Sequence, residues 1–246
     1  MIIAHRGVSF DLPENSLPAF NISWNHAADG IEGDFHLTKD GAIVCIHDED
    51  TGRVCKQNMV VRDSTLKELK ALDLDYKGTE NLQIKIPTLA EVLEILPDGK
   101  KIFIEVKCGS EIVEPLFSEL SRSKLNSNDA VIISFDEEVI KEFKVIAPNF
   151  RALLLYSYEV GCNINNLIDV MRNIKADGLG TDNEFSKTLV EQTINAGFEY
   201  HSWTIDSIDV AQKLINWGSS SITTNKPGHL IQQLARWKNI VLDDNS

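Results

Sequence analysis

Residues 30–37 read Gly-Ile-Glu-Gly-Asp-Phe-His-Leu, and residues 101–107 read Lys-Ile-Phe-Ile-Glu-Val-Lys. Each is a short apolar run of the kind that forms a buried strand, and each carries carboxylates. Similar runs occupy 2–4, 130–135, 151–156, 177–180, 198–203 and 220–224. Amphipathic helical patterns lie between them. Leu17, Phe20, Trp24 and Ala27 follow a polar Asn15-Ser16 start. Leu89, Val92, Leu93 and Leu96 follow a capping box, Thr88-Leu89-Ala90-Glu91. Asp136, Asn163 and Ser186 stand as caps before three further apolar faces, Val210 and Leu214 mark another, and Pro227 sits near the start of the last. Pro115 must occupy the first turn of the helix after the third strand or kink it.

Eight β/α units in a chain of 246 residues predict an α/β protein with a (β/α)8 TIM-barrel architecture. A doubly wound open sheet shares the alternation, although no glycine-rich phosphate loop follows the first strand. The spacing is regular except at 48–86, which reads as a small insertion between strand 2 and helix 2, lying over the barrel's C-terminal face. A second capping box, Thr65 with Glu68, predicts a short helix inside it. No linker divides the chain, so residues 1–246 are expected to form one domain.

Composition narrows the function. Basic residues number 24 and acidic residues 37, for a net charge of -13, which argues against nucleic acid or an anionic membrane as partner. With 43% apolar and 25% charged residues the chain reads as globular rather than disordered. The start, Met1-Ile2-Ile3-Ala4-His5-Arg6, lacks a signal peptide's basic and apolar regions, and no apolar run is long enough for a membrane span. Cys45, Cys55, Cys108 and Cys162 show no CxxC spacing and are expected to be reduced thiols in a cytoplasmic protein.

In such a barrel the chemistry sits at the C-terminal ends of the strands. Those positions hold His5 and Arg6, Glu32 and Asp34, Glu105 and Lys107, and Trp203, with His47-Asp48 after the extended run 42–46. A packed interior would not tolerate this polar set unpaired. Glu32 and Asp34 are two apart on a strand and face one side, and Glu105 joins them from the adjacent strand. Three oxygen donors without cysteine favour one hard divalent cation, Mg2+ or Ca2+, over zinc. A structural ion network with Arg6 or Lys107 is an equal reading on spacing alone. His5 and His47 are suited to general acid/base work, and Arg6 to a phosphate. His36 is a further site candidate, His201 lines the site or fills the barrel, and His26 and His229 read as surface residues.

These residues also carry a resemblance. His5-Arg6-Gly7, Pro13-Glu14-Asn15-Ser16, Ile31-Glu32-Gly33-Asp34, Thr38-Lys39-Asp40-Gly41 and His47-Asp48 resemble the opening of the glycerophosphodiester phosphodiesterase family. Pro87-Thr88-Leu89, Ile104-Glu105-Val106-Lys107, Ser134-Phe135, Trp203-Thr204 and the segment from Ile222 to Pro227 continue the match in order. Asn225 departs from it, standing where the family commonly has Asp. The resemblance implies hydrolysis of a small-molecule glycerophosphodiester to an alcohol and sn-glycerol 3-phosphate. It implies that Glu32, Asp34 and Glu105 bind one divalent cation and that His5 and His47 are the catalytic acid/base pair. It further implies that Arg6 and Lys107 hold the phosphate and that Trp203 packs against the glycerol or its neighbour.

Three other readings compete. A lysophospholipase D-type enzyme would keep the site but need an apolar rim, and 48–86 is rich in charge (Arg53, Lys56, Arg62, Asp63, Lys67, Glu68). A barrel glycosidase would use two carboxylates, but paired histidines and Arg6 count against it. A degenerate barrel acting as a binding protein should have lost some of the polar set, and all of it is present.

Overall fold

Alternation in the strands builds the frame for the site. The computed structural model describes residues 1–76, 83–182 and 185–243, with side chains described through Trp237. The strands are β1 (Ile2–His5), β2 (Gly30–Leu37), β3 (Ile43–Cys45), β4 (Lys101–Val106), β5 (Ala130–Ser134), β6 (Arg151–Tyr156), β7 (Gly178–Thr181), β8 (Glu199–Ser202) and β9 (Ser221–Thr224). All but β3 pair in parallel, in the order β1-β9-β8-β7-β6-β5-β4-β2, and β1 pairs with β2 to close the ring. The closed eight-stranded barrel rules out the open sheet. The extended run 42–46 contains β3, which pairs antiparallel to β2 outside the ring.

Helices α1 (Leu17–Asn25), α3 (Leu89–Glu94), α4 (Val113–Arg122), α5 (Glu137–Ile146), α6 (Ile164–Asn173), α7 (Lys187–Asn195), α8 (Ile208–Asn216) and α9 (Pro227–Asp243) alternate with the strands, and α2 (Leu66–Ala71) lies in the insertion. Both capping boxes form, so Thr65 and Thr88 each satisfy free amides at a helix start. Ser16, Asp136, Asn163 and Ser186 cap as expected. Pro115 falls in the first turn of α4, where its missing N–H costs nothing, behind a 3-10 turn at Ser110–Ile112. Some ends move: Ala27 lies beyond α1 at φ 59°, and α3 stops before Leu96.

Side chains alternate between two cores. Ile31 and Phe35 of β2, with Ile102, Ile104 and Val106 of β4, pack outward beneath the helices. The opposite faces point into the barrel, where Ile3, Phe103, Val131, Ile133, Leu153 and Leu155 form an apolar floor. Each such side chain contributes about 1.5–3 kcal/mol when fully buried. This floor excludes water from beneath the polar groups at the strand ends.

The insertion has its own small core, in which Val44, Ile46, Cys55, Val61, Leu69, Leu74, Ile84 and Ile86 are buried together. It also reaches the loop after β1, where Tyr76 Oη donates to the Phe10 carbonyl at 3.1 Å. Positions 77–82 of the 48–86 insertion lie outside the described residues. None of the four cysteines forms a disulfide. No described helix is long and apolar enough to cross a membrane.

Candidate active site

The chain turns sharply after β1. Arg6 and Gly7 both adopt positive φ, 55° and 80°, and a Cβ on Gly7 would lie 2.6 Å from the backbone carbon of Ala19. Only glycine fits there, and the close approach brings the start of α1 against the strand end. The turn aims the Arg6 amide inward, where it donates to Glu32 Oε2 at 2.9 Å.

Register sets the carboxylates. His5 pairs with Glu32 between β1 and β2, and Asp34 pairs with Glu105 between β2 and β4. Glu32, Asp34 and Glu105 each place one oxygen within 4.8 Å of the others, with Glu32 and Asp34 buried. Burial pushes the Glu32 carboxyl well above its ordinary range, and the charges of Asp34 and Glu105 add to the effect. Burial, then Asp34, pushes Glu105 up to about 6, against Lys107.

The ion network read as an alternative is present. Lys107 Nζ donates to Glu105 Oε1 at 2.8 Å and stands 3.8 Å from Asp34 Oδ1, while Arg6 Nε lies 3.2 Å from Asp34 Oδ2. It does not complete the cluster. Glu32 Oε1 and Asp34 Oδ1 are buried and make no hydrogen bond. Two unpartnered carboxylate oxygens in an all-oxygen set fit a hard divalent cation.

The metal-free fold should therefore show a specific pH dependence. A carboxyl with a raised folded-state pKa contributes stability present below its unfolded value and lost as pH rises through the folded value. For Glu105 the window runs from 4.5 to about 6, with an effect on the order of 2 kcal/mol. In metal-free protein, Glu105→Gln should gain Tm relative to wild type between pH 4.5 and 7 in calorimetric scans. Added Mg2+ or Ca2+ should reverse that order at pH 7.

The two imidazoles are held alike. His5 Nδ1 lies 2.7 Å from Asn225 Oδ1, which also accepts from Ser9 Oγ at 3.0 Å. Asn225 Nδ2 donates to Asp206 Oδ2 at 2.9 Å, so the amide oxygen faces His5 and the ring must carry its proton on Nδ1. His5 Nε2 is then directed inward, 4.0 Å from Glu32 Oε2. Burial, followed by the Arg6 charge, lowers the His5 pKa. His47 Nδ1 donates to Asp48 Oδ1 at 2.6 Å, and its Nε2 lies 3.3 Å from Lys107 Nζ. Each ring is thus anchored by Nδ1 and offers Nε2.

Trp203 reaches the same mouth, lining a narrow cavity with His5 and Glu32 and meeting Phe135 edge to face at 5.7 Å. Of the residues singled out from sequence, His5 ends β1, Arg6, Lys107 and Trp203 follow β1, β4 and β8, Glu105 is next to last in β4, Glu32 and Asp34 lie within β2, and His47 follows β3. His36 lies further out along β2: it is buried, with Nε2 3.1 Å from the His47 carbonyl. His201 fills the barrel, held by Ser221 and Glu199. His229 is exposed as expected, whereas His26 caps α1 and is only partly exposed. A cavity of about 470 Å³ opens beside Lys107, bordered by His36, Glu49, Arg62, Ser134 and Phe135.

Asn15 is a site residue that the sequence hid. Its Asn15-Ser16 context reads as a helix start, yet the side chain is buried and grips Asp34. Asn15 Nδ2 donates to Asp34 Oδ2 at 2.8 Å, and the Asp34 amide donates to Asn15 Oδ1 at 3.1 Å. Partners of this kind orient a ligand, and their loss typically costs about 10–100-fold in metal affinity. Asn15→Ala is expected to weaken Mg2+ or Ca2+ binding by that factor in calorimetric titration.

Fold and side chains together describe a (β/α)8 barrel whose mouth holds a cluster of three carboxylates beside two cationic side chains. Comparison narrows the class. Residues 5–229 match the glycerophosphoryl diester phosphodiesterase family. A glycerophosphodiester phosphodiesterase of Caldanaerobacter subterraneus subsp. tengcongensis is 34% identical, over 94% of this chain and 96% of its own. The chain belongs to this family of phosphoric diester hydrolases. Among solved structures, the glycerophosphodiester phosphodiesterase of Thermotoga maritima superposes with a TM-score of 0.78 at 26% identity, over 94% of this chain and 96% of that one. A phosphodiesterase of Oleispira antarctica, solved with its product sn-glycerol 3-phosphate, shares the fold with a TM-score of 0.87 at 24% identity, over 96% of both chains.

Proposed function

We propose that this chain hydrolyses small glycerophosphodiesters to an alcohol and sn-glycerol 3-phosphate, with His5 and His47 as the acid/base pair. The observation that carries the reading is the matched anchoring of the two rings, each fixed through Nδ1 with Nε2 offered to the carboxylate and lysine group. Family membership and a relative that is a glycerophosphodiester phosphodiesterase support the substrate class.

A phosphodiester resists attack because its non-bridging oxygens are anionic and its leaving alkoxide is basic. Arg6 and Lys107 set positive charge beside those oxygens. One imidazole removes the proton from the attacking hydroxyl, of water or of the substrate itself. The other, carrying a proton on both ring nitrogens at that stage, gives its Nε2 proton to the alkoxide as the bond to phosphorus breaks. Glu32, Asp34 and Glu105 would hold one Mg2+ or Ca2+, which when bound offsets phosphate charge as a Lewis acid. Trp203 packs against the glycerol, and the cavity beside Lys107 has room for the alcohol.

Product analysis tests the reading. With glycerophosphocholine the expected products are choline and sn-glycerol 3-phosphate, and lysophosphatidylcholine should yield little lysophosphatidic acid. Release of phosphocholine and glycerol would contradict it, because the wrong phosphorus–oxygen bond would have broken.

A further inference from the structure

The insertion contributes Arg53 to the mouth of the barrel, and its contacts join the segment that bears His47 to the loop after β1. Arg53 Nε donates to Asp48 Oδ2 at 2.6 Å, while Nη1 and Nη2 donate to Glu14 Oε2 and Oε1 at 2.9 and 2.7 Å. Asp48 accepts from His47 Nδ1 through its other oxygen, and Glu14 Oε1 accepts from Arg6 Nη1 at 3.1 Å. The result is one row of alternating charge, His47–Asp48–Arg53–Glu14–Arg6–Asp34, across three chain segments. Burial alone would raise the Asp48 carboxyl, but the hydrogen bonds from Arg53 and His47 outweigh it and pull the group down to about 2.

We infer that Arg53 is a positioning residue of this site, whose guanidinium holds Asp48 behind His47 and Glu14 behind Arg6. The inference rests on the function proposed above, in which His47 moves a proton and Arg6 faces the phosphate. The chemistry requires arginine. Its planar fork meets Glu14 at two points and still offers Nε to Asp48, whereas a lysine ammonium is a point charge. Arg53 is 47% exposed, and ion pairs at such exposure add little to stability. A purely structural Arg53 would therefore leave kcat unchanged, while a positioning Arg53 changes kcat with little change in Tm.

The test uses full-length, metal-loaded wild type, Arg53→Ala and Arg53→Lys acting on glycerophosphoethanolamine. It is paired with long-range 1H–15N NMR of the His47 ring. Arg53→Ala should lose about 10–100-fold in kcat, as expected for partners that orient site residues. Added guanidinium should restore part of the loss, and Arg53→Lys should recover less than full activity. The His47 ring should shift from the Nδ1–H form toward a mixture of tautomers. Wild-type kcat in Arg53→Ala, or an unchanged His47 tautomer, would overturn the inference. If Arg53→Ala fails to fold, Glu14→Gln breaks the same fork and is read the same way. If the wild type releases no sn-glycerol 3-phosphate, the proposed function fails, and the His47 tautomer in Arg53→Ala alone decides the role of Arg53.

Discussion

His5→Ala and His47→Ala are each expected to lower kcat about 10²–10⁴-fold on a glycerophosphodiester, the usual worth of one positioned acid or base. KM should change much less, because neither ring carries the charge that Arg6 and Lys107 place against the phosphate. The side chains of His5 and His47 are 14% and 30% exposed, so alanine leaves no large sealed cavity and Tm should stay close to wild type. The two losses should not add. Groups that serve one proton-transfer cycle act as a unit, so the double variant should be little worse than the poorer single one. Steady-state kinetics of the three variants settle the point. Full turnover in either single variant would remove that ring from the chemistry.

The second large effect concerns the carboxylates. Glu32→Gln with Glu105→Gln keeps the shape of both side chains and removes two of the three charges that would hold a cation. A Lewis acid at a phosphoryl oxygen is worth several kcal/mol. The double variant should therefore lose on the order of 10³-fold in kcat/KM. Its metal-free form should be more stable than metal-free wild type at neutral pH, because the burial of charge, and after it the mutual repulsion, that pushes up Glu32 and Glu105 is gone. Loss of activity joined to a gain in metal-free Tm separates a metal site from a structural ion network. In a structural network the substitutions would lower both.

The barrel and most of its site were legible because both depend on local pattern. Strand runs, capping boxes and their spacing fix the eight units, and a carboxylate two residues from another on a strand must share its face. Glu32 with Asp34 and Glu105 with Lys107 could therefore be placed before any coordinates. Residues that act through long-range partners could not. Asn15 looks like part of a helix start, and nothing local shows that its amide grips Asp34 of β2. Arg53 looks like one charge among many in a poorly matched segment, and its reach to Glu14 depends on how the insertion packs. Asn225 was noted only as a departure from Asp, yet its amide oxygen fixes the proton on His5 Nδ1. His26 stands at the C-cap of α1, where its backbone N–H bonds the Ile22 carbonyl, and it is partly exposed.

Net charge takes on a clearer meaning against this geometry. With -13 overall, the surface gives an anionic substrate no long-range attraction. Under the proposed function, capture would fall to Arg6, Lys107 and a cation held by the three carboxylates.

The most direct measurement is sn-glycerol 3-phosphate release from glycerophosphoethanolamine by protein stripped with EDTA and then titrated with Mg2+ or Ca2+. The account predicts no release from the stripped protein, recovery that saturates at about one ion per chain, and no recovery in His5→Ala or the Glu32→Gln, Glu105→Gln double variant. Release that survives complete metal removal, or that persists in those variants, would contradict it.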